Sequence, residues 1–166
     1  MEAGFSLGSN LGDRVACMRE AKRRLLELPD VAFVGQSPLY ETEPVGVPPE
    51  YAHLPFLNAV LVVASDRTAR DWLADLRAVE DQMGRRRDAD RNAPRPIDID
   101  LLYAGDACID GGDVVVPHPR WAERRFVVEP LATVRPELVL PGCHRTVRAV
   151  LQELVGEQVA RLDTEW

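Results

Sequence analysis

Apolar residues recur at two periods along this chain, and the two periods divide it into strands and helices. A short strand, Ala3 to Leu7, opens the chain and breaks at the glycine-bounded loop Gly8-Ser9-Asn10-Leu11-Gly12. Asp13 can cap the helix that follows, in which Val15, Met18, Leu25 and Leu26 return near a 3.6-residue period until Pro29 ends it. Val31, Phe33, Ser37 and Leu39 then alternate as one strand leading into Tyr40, and FLNAVLVVA, Phe56 to Ala64, reads as a buried strand. A second helix spans Thr68 to Met83, with Trp72, Leu73, Leu76, Val79 and Met83 on its apolar face and Gly84 as its stop. PIDIDLLYA, Pro96 to Ala104, alternates again, and a small hairpin is expected over Ala107 to Val116. Glu123 to Leu131 and Val147 to Val155 read as helices, with a last strand near Gln158 to Leu162. Strand, helix, strand, strand, helix, strand is the order of a ferredoxin-like α+β fold, an antiparallel sheet with helices packed on it. No repeat or linker divides the chain, so one domain is expected over 1–166.

The connections carry the unusual composition. Residues 41 to 55 include Pro44, Gly46, Pro48, Pro49 and Pro55, a longer loop than the connection needs, and such loops often serve as lids. Acidic residues outnumber basic ones 27 to 20, for a net charge of -7. That balance repels nucleic acid, so any polyanion bound must be small and held by a local basic patch. Cys17, Cys108 and Cys143 are scattered and form neither a CxxC pair nor a zinc-ligand spacing, which suits reduced thiols. The N-terminus shows no secretory pattern and no apolar run is long enough to span a bilayer, so a soluble cytoplasmic protein is expected.

Asp98 and Asp100 are the most informative pair. Aspartate is depleted in strands, yet both stand in an apolar strand pattern at i and i+2. That spacing points both carboxylates one way, with Cα atoms roughly 6.5 Å apart. Two such anions repel each other, and a hard divalent cation such as magnesium removes the repulsion. The competing reading is a strand whose polar face is simply wet. Just upstream lie Arg85, Arg86, Arg87, Arg91 and Arg95, five arginines against Asp88 and Asp90. Their guanidinium forks match phosphate oxygens, so carboxylates and arginines together make the two halves of a phosphoryl-transfer site; alone, the loop would read as a solvated basic run. His118 is stiffened between Pro117 and Pro119, with Arg120, Arg124 and Arg125 close behind, and reads as a phosphate contact or an exposed turn residue. There is no GxxxxGK[ST], GxGxxG or GxSxG, so any ATP is handled by metal and arginine without a P-loop.

SLGSNLGD at 6 to 13, YETEPVG at 40 to 46, FLNAV at 56 to 60, Glu80 through MGRRR to RPIDIDLLYAG at 105, and PHPRWAERRFVVEPL at 117 to 131 together resemble the 6-hydroxymethyl-7,8-dihydropterin pyrophosphokinase family. The ordered match covers about residues 5 to 141, and the IDIDLL segment with its upstream arginines is the specific part. The resemblance implies transfer of diphosphate from ATP to the hydroxymethyl group of the pterin, releasing AMP, a step of folate biosynthesis. It implies Asp98 and Asp100 as ligands of two magnesium ions, and Arg85 and Arg95 on the transferring group. His118, Arg124, Glu80, Arg87 and Arg91 fall on the nucleotide side, and Thr42, Val45, Phe56, Asn58 and Phe126 match pterin-pocket positions. A flat heterocycle suits the faces of Phe56 and Phe126, and its amide-like edge suits Asn58. A monomeric enzyme with ATP and the pterin as its partners, and without nucleic acid or membrane, is the expectation. The chain departs from the family at Asn92-Ala93-Pro94, where tryptophan and glycine usually precede the proline, and at Asp113 to Val116, from which no role is carried over.

Two other classes compete. A ferredoxin-like sheet can be a single-stranded RNA platform, which the net charge opposes and filter binding would test. A different magnesium-dependent nucleotidyl or phosphoryl transferase would share the two aspartates, and only pyrophosphoryl transfer yields AMP with a diphosphorylated acceptor.

Overall fold

The computed structural model describes residues 1–44, 48–85, 93–156 and 159–166. Its elements are β1 (Glu2–Ser9), α1 (Arg14–Leu26), β2 (Ala32–Gln36), β3 (Leu39–Thr42), β4 (Phe56–Ala64), α2 (Ala69–Gln82), β5 (Asp98–Ala104), β6 (Ile109–Gly111), β7 (Val114–Val116), α3 (Arg125–Val134), α4 (Val147–Glu153) and β8 (Val159–Leu162). Short 3-10 turns add Pro49–Tyr51 and Trp121–Glu123. Five strands run in the order β5-β1-β4-β3-β8, every neighbour antiparallel, and β2 also pairs with β4. β1, α1, the broken strand β2/β3, β4, α2 and β5 therefore make the expected ferredoxin-like layer, and β6 with β7 is the expected hairpin.

Three local expectations are corrected. Gly8 and Ser9 belong to β1, because Gly8 pairs with both Asn58 and Asp98 and the loop begins only at Asn10. The single strand expected over Val31 to Tyr40 is two, broken at Ser37-Pro38. Proline has no N–H for the ladder, and Ser37 bridges the gap: its N–H donates to the Val60 carbonyl at 2.9 Å and its hydroxyl accepts from the Val60 N–H at 2.9 Å. The third helix begins at Arg125, later than Glu123, with Trp121–Glu123 forming a separate turn before it.

The sheet buries a different core on each face. One, with α1 and α2, holds Phe5, Leu7, Met18, Leu25, Leu61, Trp72, Leu76 and Leu101, and the Phe5 and Trp72 rings meet edge to face at 4.7 Å. Its helices start on side-chain caps, Asp13 accepting from the Ala16 N–H and Thr68 forming a capping box with Asp71. The other, under α3 and α4, holds Val60, Val62, Leu102, Tyr103, Val127, Val128 and Leu131. Trp166 closes the first core from the chain's end, its indole N–H donating to the Ser37 carbonyl at 2.8 Å.

At one end of the second face Tyr103 lies across Gly4, where any Cβ would come within 2.3 Å of the phenol ring. The Tyr103 hydroxyl donates to Glu2 at 2.6 Å and Arg135 donates to Glu2 at 2.9 Å. Burial by itself raises the Glu2 carboxyl, but the hydrogen bonds from Arg135 and Tyr103 outweigh it and hold the pKa below its ordinary 4.5. A depressed carboxylate stabilises the fold above its unfolded pKa and loses that contribution as pH falls through the folded one. Glu2→Gln is therefore expected to cost about 1 kcal/mol at pH 7. The gap to wild type should close as melting is measured below about pH 4. A gap that stays constant into acid would assign the loss to shape and remove the ionic contribution.

Candidate active site

The opposite end of that same sheet face is left open by α3 and α4, and there the pleat brings polar residues together. Antiparallel register sets Gly8 between Asn58 on β4 and Asp98 on β5, and Ser6 between Val60 and Asp100. Asn58, Asp98 and Asp100 have the parity of Val60 and Leu102, so all project from this face. Gly8 keeps the floor between them low: a Cβ there would stand 3.4 Å from the Asn58 Oδ1 and 3.9 Å from Phe56.

Asp98 is gripped from two sides. Arg95 meets one carboxylate oxygen at 2.9 Å and Arg85 donates to the other. Arg85 also donates to Glu80, which is 3% exposed and accepts the Ile99 N–H at 2.7 Å through the same oxygen. Glu80 was expected on the nucleotide side; in the structure it is buried at the end of α2, holding Arg85 and the β5 backbone between the two aspartates. The Arg85 guanidinium is held in its charged form even though burial opposes it, because Asp98 and Glu80 flank it.

Asp100 is held more loosely. The His118 Nε2 lies 4.0 Å and the Arg124 guanidinium 3.9 Å from its carboxylate. Desolvation, then repulsion from Asp98, pushes the Asp100 carboxyl above its ordinary value; His118, Arg124 and Arg85 only partly oppose this. His118 is fixed by its N–H to the Leu102 carbonyl at 2.9 Å. Its Nδ1 accepts the Arg120 N–H at 3.1 Å, which leaves the proton on Nε2, facing Asp100. Burial lowers the His118 pKa, so the ring is a neutral N–H donor at pH 7. Arg124 stands where α3 begins, so the positive end of that helix adds to the arginine charge.

The aromatic residues flank this centre. Arg95 lies over the Phe56 ring at 5.9 Å and Arg124 over the Phe126 ring at 5.7 Å. Both rings are half-buried. The Asn58 amide donates to the Thr42 hydroxyl at 2.8 Å, placing Thr42, Phe56 and Asn58 in one patch at the ends of β3 and β4. Of the expected site residues, Arg85, Arg95, Asp98, Asp100, His118, Arg124, Glu80, Thr42, Phe56, Asn58 and Phe126 lie within this one region; Val45, Arg87 and Arg91, like Asn92 of the altered loop, lie outside the described residues.

Sequence reasoning missed Asn10. Its side-chain oxygen accepts the Arg95 N–H at 2.9 Å and its own N–H donates to the Arg95 carbonyl at 3.3 Å, a two-point brace on the backbone of an arginine that contacts Asp98. No local signal marked it: Asn10 stands in the glycine-bounded loop, and its burial, at 3% exposed, comes from the fold.

Among the described residues no three His, Cys, Asp or Glu side chains could hold a metal unaided. The donor set nonetheless fits magnesium, a hard cation satisfied by one or two carboxylates when phosphate and water complete its shell. The raised Asp100 carboxyl beside Asp98 is the repulsion such an ion relieves.

Residues 4–136 match the family model of 7,8-dihydro-6-hydroxymethylpterin-pyrophosphokinase. The chain is 35% identical over 161 residues to the 2-amino-4-hydroxy-6-hydroxymethyldihydropteridine pyrophosphokinase of Methylorubrum extorquens, covering 97% of this chain and 98% of that one. It is 30% identical to the folic acid synthesis protein fol1 of Pneumocystis carinii, covering 93% of this chain but only 20% of that longer protein. The HPPK-DHPS of Plasmodium falciparum, crystallised with pteroate, superposes at a TM-score of 0.72 with 16% identity, over 92% of this chain and 42% of that one, which shows a shared fold. The fold, the paired carboxylates and the match over most of the chain agree: this protein belongs to the 7,8-dihydro-6-hydroxymethylpterin-pyrophosphokinase family.

Proposed function

We propose that this chain is a single catalytic domain, active as a cytoplasmic monomer, that transfers diphosphate from ATP to 6-hydroxymethyl-7,8-dihydropterin in folate biosynthesis. The observation that carries the reading is the convergence of Arg85 and Arg95 on Asp98, and of His118 and Arg124 near Asp100, on one open sheet face beside Phe56 and Phe126. The pterin hydroxyl forms a bond to the β-phosphorus while the bond from that phosphorus to the bridging oxygen breaks; AMP leaves with the electron pair and the hydroxyl proton passes to water. Asp98 and Asp100 would hold two magnesium ions, whose charge neutralises the phosphate oxygens. Arg85 and Arg95 sit beside the same carboxylates and can share the charge of the transferring group, while His118 and Arg124 can donate to the nucleotide phosphates. Arg87 and Arg91 complete the nucleotide set in this reading, and Thr42, Val45, Phe56, Asn58 and Phe126 the pterin pocket. The described site shows no general base aimed at a hydroxyl, so orientation and electrostatics carry the rate.

The test is AMP release from ATP and magnesium with and without the pterin. Pterin-dependent AMP establishes the reaction, and formation of ADP or pyrophosphate in its place assigns a different transfer. Within this reading Asn10 holds Arg95 in place, and Asn10→Ala is expected to lower turnover about tenfold by letting the guanidinium stray from its near-attack position. A wild-type rate in that variant would show that the brace is not needed.

A further inference from the structure

Arg14 stands in the first turn of α1, where the helix end is already positive and no acidic residue lies within the turn. A cation is disfavoured there, so a local rule is broken and a tertiary reason is called for. The structure supplies one. One guanidinium nitrogen donates to Glu41 at 2.7 Å and another donates to the Pro55 carbonyl at 2.8 Å. Glu41 is the neighbour of Thr42, Pro55 is the neighbour of Phe56, and Thr42 pairs with Phe56 in the ladder. The fork of Arg14 therefore ties together the two chain ends where β3 leaves the sheet and β4 enters it. Glu41 shares the parity of Leu39, which belongs to the core beneath α1 and α2, so Arg14 pulls from behind the sheet while Thr42, Phe56 and Asn58 face the cleft.

We infer that Arg14, through Glu41 and the Pro55 carbonyl, is a positioning residue for the heterocyclic acceptor: it sets the spacing of the strand ends that carry Thr42 and Phe56 without touching the ligand. The inference rests on the functional reading above. Arginine is specific to the task, because both contacts use separate nitrogens of one planar group. The aspartates with Arg85 and Arg95 lie on β5 and beyond α2, so the clamp bears first on the acceptor half of the site and meets the nucleotide half only where Arg95 lies over Phe56.

The test compares wild type with Arg14→Ala, Glu41→Ala, the double variant and the exchange Arg14→Glu/Glu41→Arg. Pterin affinity is measured by fluorescence with a non-hydrolysable ATP analogue present, beside analogue affinity, melting temperature and steady-state kinetics. Arg14→Ala is expected to weaken pterin binding and raise its KM about fivefold, the scale of a half-exposed pair. Analogue affinity and kcat should stay within about twofold, the double variant should resemble the singles, and the exchange should recover part of the loss. Unchanged pterin affinity would overturn the clamp, and so would parallel losses of pterin affinity, analogue affinity and melting temperature, which mark general loosening. Should Arg14→Ala fail to fold, Arg14→Lys, which keeps the charge but lacks the fork, is read by the same criteria. A wild-type protein that binds no pterin would instead overturn the functional reading and take this inference with it.

Discussion

Asp100→Asn is expected to reduce pterin-dependent AMP formation by roughly 10³- to 10⁴-fold while raising the melting temperature of the ligand-free protein by about 2 °C. The two effects have one cause. Asp100 has its carboxyl pushed up by desolvation and by Asp98, although its side chain stays 43% exposed, which keeps the stability effect small. A carboxyl whose folded pKa is raised costs no stability below its unfolded pKa, begins to cost as pH rises past that value, and costs in full above the folded one. At pH 7 the asparagine removes that cost, and with it the charge that would hold the metal. The gain in melting temperature should therefore vanish in acid, below about pH 4. The expectation is measured by steady-state AMP release and by thermal melts from pH 3 to 8. A variant with a tenth of the wild-type rate or more would end the metal assignment, and a lower melting temperature would end the repulsion account. Stability sacrificed at a functional site is the expected direction of such a trade.

Arg85→Ala carries the second large effect, and here activity and stability fall together. Arg85 is the guanidinium shared by Glu80 and Asp98, and Glu80 is 3% exposed. Removing one partner of a buried charged cluster is strongly destabilising, and about 3 kcal/mol is expected, because Asp98 keeps Arg95 and Glu80 keeps the Ile99 amide. Rate should fall by roughly 10²- to 10³-fold if Arg85 also stabilises the transferring group. A second substitution separates the two. Glu80→Gln in the Arg85→Ala background removes the buried carboxylate's charge and keeps the oxygen that accepts from Ile99. It should restore much of the stability and none of the rate. Recovery of both would make Arg85 a purely structural cation; recovery of neither would mean that the destabilisation does not come from Glu80.

Much of the fold was readable because its signals are local. β4 and β5 declared themselves by apolar residues at strand period, α2 by Trp72, Leu76 and Val79 at helical period, and the antiparallel ferredoxin-like order followed from the sequence of elements. The i, i+2 spacing of Asp98 and Asp100 is enough to put both on one face of a strand. Ser37-Pro38 was harder, since the alternation runs straight through it and only the Ser37 hydroxyl bonded to Val60 shows how the sheet continues across the break. Glu80 shows the same limit. Its helical position gave no hint that its partners would be Arg85 and the amide of Ile99, 19 residues further on.

The strand and helix periods, the shared face of the two aspartates, the acidic net charge and the local concentration of arginine are legible in the chain alone. Which cation meets which carboxylate is a matter of the fold: Arg85 and Arg95 at Asp98, His118 and Arg124 near Asp100. It also decided that Asn10 braces Arg95 and that Arg14 joins Glu41 to Pro55. The division has a physical reason. Periodicity reports which side of its own element a residue faces, a property of a few neighbouring dihedrals. Convergence of α2, β1, β5 and the start of α3 on one cleft depends on the strand order β5-β1-β4 and on which face each helix covers, and these are settled by the two cores rather than by any local pattern.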